Sequence, residues 1–244
     1  GAQELVDRLL EQIKPFNAGF HLGQEVTELK PRDGTRFDVV TSAGTRFDAG
    51  SVIIAAGLGS FQPRRLMVPD AEKFEGTQVH YRVRRAEEFH GQDLLIAGGG
   101  DSALDWVLEF CGKARSVTLV HRRAEFRAQP LSVSRMRELA AAGKLRHLEG
   151  TIQSLAVEDG RLAGAVVQGR DKATTAVRCQ HVIACFGLHP KLGPVANWGL
   201  ALEKKALAVD TEKFQTSVPG IFAIGDINTY PGKKKLILSG FHES

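Results

Sequence analysis

The stretch Asp93-Leu-Leu-Ile-Ala-Gly-Gly-Gly-Asp-Ser-Ala-Leu-Asp-Trp106 decides the reading of this chain. Leu94 to Ala97 form a short apolar run, the pattern of a strand buried on both faces of a parallel sheet. Gly98, Gly100 and Ala103 then match G-x-G-x-x-A, with Gly99 between the two motif glycines. Glycine at 98 permits a tight turn off the strand. Glycine at 100 lets the backbone approach a pyrophosphate where a Cβ would collide, and Ala103 lets the next helix pack close to the sheet. Leu104, Val107 and Leu108 supply that helix's apolar stripe, and Asp101 or Ser102 is placed to cap it. Free N–H groups at the helix start, with the positive end of the helix dipole, then hold an anion.

Glycine patterns alone carry little in a chain with 26 glycines. This one has a second signal at βαβ spacing, Ser116-Val-Thr-Leu-Val-His-Arg-Arg-Ala-Glu-Phe-Arg127. Ser116 to Val120 reads as the next strand. A site for NAD puts a carboxylate at the end of that strand, to accept from the ribose 2′-OH. This chain puts His121, Arg122 and Arg123 there, with Arg127 a turn beyond. Guanidinium forks suit a 2′-phosphate, so the pair of motifs points to NADP. The plain alternative is a glycine turn followed by a solvated basic loop.

Composition sets the bounds. The chain has 244 residues, with 43% hydrophobic and 25% charged residues, as in a globular protein of one large or two ordinary domains. A net charge of +4 and a pI near 9.0 do not by themselves argue for nucleic acid. No apolar run is long enough to span a membrane, and no signal peptide opens the chain. The three cysteines, Cys111, Cys179 and Cys185, form no C-x-x-C pair and no zinc spacing. Buried free thiols in a reducing cytoplasm are the expectation.

Around this core the chain reads as follows. An amphipathic helix over about 1–16 carries Leu5, Leu9, Leu10 and Ile13. One or two strands cover Phe20 to Leu29, a hairpin turns around Ser42–Gly44, and a buried strand runs from Ser51 to Gly57. Gly76 to His90 reads as a polar connector. A helix covers Arg135 to Ala142, and two short strands cover Leu145–Gly150 and Thr151–Val157. His181 to Gly187 repeats the layout of Ser51–Gly57, which hints at a duplicated nucleotide-binding unit. Ile221 to Ile224 ends in Gly225-Asp226, where an Asp can accept from sugar or ribityl hydroxyls; an ordinary Gly-Asp turn is the equal alternative.

Taken in order, Val52-Ile-Ile-Ala-Ala-Gly57, Ile96–Trp106, Val120–Ala128 and Gly220-Ile-Phe-Ala-Ile-Gly-Asp-Ile227 resemble the two-dinucleotide-binding flavoprotein reductases. Asn197-Trp-Gly-Leu200 and the tail Asn228–Glu243 narrow the resemblance to ferredoxin–NADP⁺ reductases of the thioredoxin-reductase-like type. The resemblance covers essentially the whole chain. It implies an α/β fold of three-layer, Rossmann-like FAD- and NAD(P)-binding domains, the NADP domain inserted in a partial FAD domain. The implied boundaries are 1–75 for FAD, 76–196 for NADPH and 197–244 for the return to FAD. It also implies Gly98, Gly99, Gly100, Asp101, Ser102, Ala103, His121, Arg122, Arg123 and Arg127 at NADP, and Val26, Phe61 and Asp226 at FAD. No catalytic acid or base and no metal is implied. The implied partner is ferredoxin or flavodoxin, with no nucleic acid or membrane, and the implied assembly is a homodimer.

Thioredoxin reductases carry a redox C-x-x-C before the NADP turn. Here that region reads Val79-His-Tyr-Arg-Val-Arg-Arg85, without cysteine, so no thiolate pair is available to pass electrons to a disulfide. The family's first G-x-G-x-x-G, for the FAD pyrophosphate, has no counterpart upstream of Gly98. The expectation is therefore an internal fragment in which the Ser51–Gly57 strand lacks sheet neighbours and FAD binds poorly or not at all. Two rivals remain open: an NADP-binding fragment or sensor without flavin, and a flavin reductase with another acceptor. Lys233, Lys234 and Lys235 read as a solvated loop, with an acidic carrier as the alternative contact.

Overall fold

The computed structural model describes every residue except 1, 33–35, 60, 61 and 190. They gather into two compact units, one of residues 1–60 and 190–244, the other of residues 61–189.

The first unit opens with helix α1 (Ala2–Ile13), whose Leu5, Val6, Leu10 and Ile13 are all exposed. A 3-10 turn over Lys14–Phe16 follows. No strand forms over 17–25, because Asn17 (φ 48) and Gly23 (φ 70) turn the backbone. Strand β1 (Val26–Pro31) therefore starts at Val26, inside the Phe20–Leu29 stretch expected to hold one or two strands. Strands β2 (Phe37–Thr41) and β3 (Arg46–Ala49) make the expected hairpin and complete an antiparallel sheet with β1. Strand β4 (Val52–Ile54) ends this half of the unit.

The second unit is built on a seven-stranded sheet. Its elements are β5 (Val79–His80), β6 (Asp93–Ala97), α2 (Asp101–Phe110), β7 (Ser116–His121), α3 (Pro130–Ala141), β8 (Arg146–Glu158), β9 (Arg161–Gly169), β10 (Thr174–Arg178) and β11 (His181–Ala184). The order is β10-β9-β8-β7-β6-β11-β5, parallel from β8 to β5 and antiparallel from β8 to β10. Three expectations change here. The connector over Gly76–His90 holds an edge strand, since Val79 is wholly buried. Helix α3 begins at Pro130 rather than Arg135, because proline is at home in a first turn, where its missing N–H costs nothing. The two short strands after Leu145 are one long strand, β8. It leaves β7 at Glu149 and joins β9 from Gly150, where a Cβ would sit 2.4 Å from the Gln168 carbonyl oxygen.

The strand alternation explains the apolar run at β6. Leu94 and Ile96 face one core with Leu104, Val107, Phe110, Leu119 and Met136. Leu95 and Ala97 face the other with Val120, Ile152, Val167 and Val182. Both sides are buried, so a period-2 polar alternation never develops.

The chain then returns to the first unit with β12 (Leu202–Glu203), β13 (Ala206–Ala208), β14 (Ile221–Ala223), β15 (Asn228–Thr229) and α4 (Ile237–Glu243). Strand β14 lies parallel to β4, pairing Ile221 with Val52 and Ala223 with Ile54. So β4 does have a sheet neighbour, against expectation. Its burial is partial, however: Ile54 joins the core of Leu29, Phe37, Leu207, Ile221 and Ile227, while Ile53 stays 62% exposed.

Candidate functional site

The glycine turn leaves β6 where the sheet branches, with β7 on one side and β11 on the other. Such switch points are where open α/β sheets take their ligands. Gly98 has φ 151 and its N–H donates to the Val120 carbonyl (3.0 Å), while Cys185 N–H donates to Ala97 (2.7 Å). A Cβ on Gly98 would lie 2.6 Å from the Cys185 carbonyl oxygen and 3.1 Å from the Ala103 methyl. This is the tight passage that the motif predicts, and Ala103, wholly buried, is the small residue facing it.

Gly99 and Gly100 are glycines for different reasons. A Cβ on Gly99 would fall 2.2 to 2.5 Å from ring atoms of His121. A Cβ on Gly100 would meet nothing within 4 Å. Open space beside the turn is what a bound pyrophosphate needs. Among the described residues, no protein group accepts from the N–H of Gly99, Gly100, Asp101 or Ser102. The turn and the first residues of α2 therefore present unpaired donors to that space.

The basic loop closes against this turn. Arg127 N–H donates to the Gly99 carbonyl (2.7 Å). His121 Nε2 lies 3.0 Å from the Glu125 carbonyl oxygen, which places its proton on Nε2. The His121 ring packs on Phe126, at 4.9 Å between centroids, and Phe126 packs on His147 at 5.4 Å. Burial, then the nearby His121, holds the His147 imidazole below its usual range. Arg122, Arg123 and Arg127 are exposed, and among the described residues none has a carboxylate within ion-pair distance. Three exposed guanidiniums without a counter-charge, on a loop whose backbone touches the glycine turn, have the chemistry to bind a phosphate.

The expected capping differs. Gly100 is the N-cap of α2, and neither Asp101 nor Ser102 caps it. The Asp101 carboxylate instead accepts from Gln129 N–H (2.7 Å), the residue that precedes Pro130 and α3. Asp101 already stands inside the helix, where its side chain points away from the first-turn N–H groups. It ties the start of α2 to the start of α3 and so sets the far end of the basic loop. Sequence reading missed this tie and the His121–Gly99 contact. The only available signal was a glycine at 99, a position the motif leaves free.

In the first unit, Asp226 sits in a 3-10 turn, Gly225–Ile227, at the end of β14. It is partly exposed, and among the described residues its carboxylate meets no donor or cation. An acceptor left open at a strand end fits sugar or ribityl hydroxyls. Val26 is partly buried and packs on the same core as Ile227. Phe61 lies outside the described residues.

The lysine run divides. Lys234 and Lys235 are exposed as expected, but the Lys233 side chain is only 5% exposed and pairs with the wholly buried carboxylate of Glu243. The three cysteines are free thiols, with burial pushing Cys179 and Cys185 up to about 12. Among the described residues, no cluster of three or more His, Cys, Asp or Glu side chains could hold a metal ion. Among the described residues, no helix is long and apolar enough to cross a membrane.

Comparison with known proteins places the chain in a family. The sequence profile of the pyridine nucleotide-disulphide oxidoreductase family matches residues 2–225, and the chain belongs to that family. Within it, the chain is 56% identical over 242 residues to ferredoxin–NADP reductase 2 of Cupriavidus taiwanensis, covering 99% of this chain and 66% of that protein. It is 54% identical over 246 residues to the ferredoxin–NADP reductase of Methylibium petroleiphilum, covering 99% and 67%. The chain thus spans about two thirds of the length of these relatives. Among solved structures, thioredoxin reductase of Lactococcus lactis superposes with a TM-score of 0.75 at 26% identity, over 90% of this chain and 70% of that one. Thioredoxin reductase of T. acidophilum superposes with a TM-score of 0.82 at 20% identity, over 98% and 76%, a likeness of fold. The fold is the thioredoxin-reductase-like α/β flavoprotein fold.

Proposed function

We propose that this chain serves an FAD-dependent reductase that passes electrons between NADPH and a one-electron carrier of the ferredoxin or flavodoxin type. The observation that carries the reading is the contact of the basic loop with the glycine turn through Arg127 N–H, with three guanidiniums that meet no carboxylate among the described residues. It is supported by relatives more than 50% identical over nearly the whole chain and named ferredoxin–NADP reductase.

In this reading each residue has a physical task. Unpaired N–H groups from Gly99 to Ser102 bind the pyrophosphate, with Gly100 leaving room for it. Arg122, Arg123 and Arg127 bind the 2′-phosphate, which excludes NADH as an equal partner. His121 holds Gly99 and the loop in register. Asp226 accepts from hydroxyls of FAD, with Val26 contributing to the same site. When bound, the flavin supplies the conversion of a two-electron hydride into single electrons. The chain contributes alignment and no acid or base, since hydride transfer to flavin needs no protein proton at that step.

The acceptor follows from the thiols. This chain has no C-x-x-C, and the thiols of buried Cys179 and partly buried Cys185 stay protonated. Electrons reaching the flavin therefore leave to an external carrier rather than through a dithiol. Free thiols also suit a reducing cytoplasm, where we place the protein, as the homodimer that its family resemblance implies. The test is NADPH-driven reduction of ferredoxin by the intact protein. Rapid turnover with ferredoxin and none with a thioredoxin disulfide is expected; the reverse order of activity contradicts the reading.

A further inference from the structure

The buried carboxylate of Glu243 has no part in the reading so far. It is the seventh and last residue of α4, with a wholly inaccessible side chain. Four donors converge on it. Its Oε2 accepts from Gly225 N–H (2.7 Å) and from Asn228 Nδ2 (2.9 Å). Its Oε1 accepts from the Tyr230 hydroxyl (2.8 Å) and from Lys233 Nζ. Asn228, itself wholly buried, uses its other Nδ2 proton on the Ala223 carbonyl (2.7 Å). One side chain from α4 thus ties together the end of β14, the Gly225 turn, β15 and the loop behind it.

The turn so held carries Asp226. Gly225 has φ 76, which favours glycine, and a Cβ there would meet no neighbour within 4 Å, so sterics do not impose this conformation. Its N–H bond to Glu243 fixes it on one side of Asp226, and wholly buried Ile227 fixes the other side. Among the described residues, the Asp226 carboxylate is left without a protein partner, between two anchored residues. Charge fits as well. Lys233, nearly buried and 5.3 Å over the Tyr230 ring, neutralises Glu243, so the buried carboxylate does not repel Asp226. Burial alone would raise the Glu243 carboxyl, yet Lys233, the Gly225 N–H and Tyr230 together hold it below its usual range.

We propose that Glu243, with Lys233 as its counter-ion, is a positioning residue for the Asp226 turn, and so sets FAD affinity without touching the cofactor. The inference rests on the flavin reading above, and the experiment separates the two. In the intact protein, Lys233 and Glu243 are replaced together by Met and Leu, a swap that removes both charges and leaves the Gly225, Asn228 and Tyr230 donors without their acceptor. A second variant, Glu243→Asp, keeps the charge pair but draws the carboxylate back from Gly225. Three quantities are read: FAD affinity by fluorescence titration, hydrogen exchange at the Gly225 amide without flavin, and affinity for 2′,5′-ADP as a control in the other unit. Both variants are expected to lose FAD affinity at least about tenfold, or about 1.4 kcal/mol. The Gly225 amide should exchange faster and 2′,5′-ADP should bind as in the wild type. If the Met/Leu pair does not fold, Glu243→Asp decides alone. Unchanged FAD affinity, or unchanged Gly225 protection, overturns the proposal while leaving the flavin reading intact. A wild-type protein that binds no FAD overturns both.

Discussion

The His121 imidazole occupies the space that a side chain at Gly99 would need, with ring atoms 2.2 to 2.5 Å from the position of a Cβ. The first residue of the basic loop is therefore packed against the glycine turn, and the two halves of the site are one assembly. Gly99→Ala should displace the ring and its bond to Glu125. The expected result is a loss of NADPH affinity by about tenfold, with stability falling by about 1–2 kcal/mol. Isothermal titration with NADPH, together with urea unfolding, measures both. Wild-type affinity in Gly99→Ala would show that the contact has no role in the site.

Gly98 is constrained by backbone rather than by a ring. Alanine there must adopt φ near 151 and meet the Cys185 carbonyl at 2.6 Å. Neither can be relieved by a side-chain rotation. Gly98→Ala is expected to destabilise the second unit by about 3 kcal/mol, more than Gly99→Ala. The order of the two is the test, and equal losses would contradict it.

Two histidines on adjacent parallel strands predict an acid sensitivity. His80 Nε2 lies 3.1 Å from His181 Nδ1, with Phe89 packed on both rings. Burial, then the neighbouring His181, depresses His80 to about 4, and burial also lowers His181. A depressed histidine pKa means that the unfolded chain takes up the proton first. The stabilising contribution is complete above about pH 6.5 and is lost as the pH falls toward 4, a change of about 1–2 kcal/mol once solvent screening of these half-buried rings is allowed for. His80→Gln should flatten the stability curve between those limits. Parallel curves for the variant and the wild type would remove the pair as the cause.

The thiols give a simple chemical check. Burial pushes Cys179 and Cys185 up to about 12 and raises Cys111 as well. At pH 8 the folded protein should react slowly with a thiol reagent, and three equivalents should appear on unfolding. A fast-reacting thiol in the folded state would reopen the question of a cysteine in electron transfer.

Much of the second unit was legible because its signals are local. A doubly buried strand shows as the unbroken apolar run Leu94–Ala97, and its turn and helix follow in consecutive residues. The positions of Gly98, Ala103 and the arginines follow from that succession. What escaped was set by contacts distant in sequence. Val79 becomes a strand only because β11 lies beside it, and Asp101 finds Gln129 rather than its own helix. Lys233 looks like its solvated neighbours until α4 brings Glu243 to it. The strand expected from Phe20 begins only at Val26, because the chain turns at Asn17 and Gly23.

The central claim is that the guanidiniums beside the glycine turn select NADPH by its 2′-phosphate. It is tested most directly by measuring the affinities of the wild type and the Arg122→Ala/Arg123→Ala variant for NADPH and NADH at fixed salt. Each charge-assisted contact contributes about 1.5–3 kcal/mol, so the variant should lose NADPH affinity by roughly a hundredfold or more. Its NADH affinity should stay nearly unchanged, collapsing the preference. A variant that keeps the wild-type ratio of NADPH to NADH affinity would contradict the account.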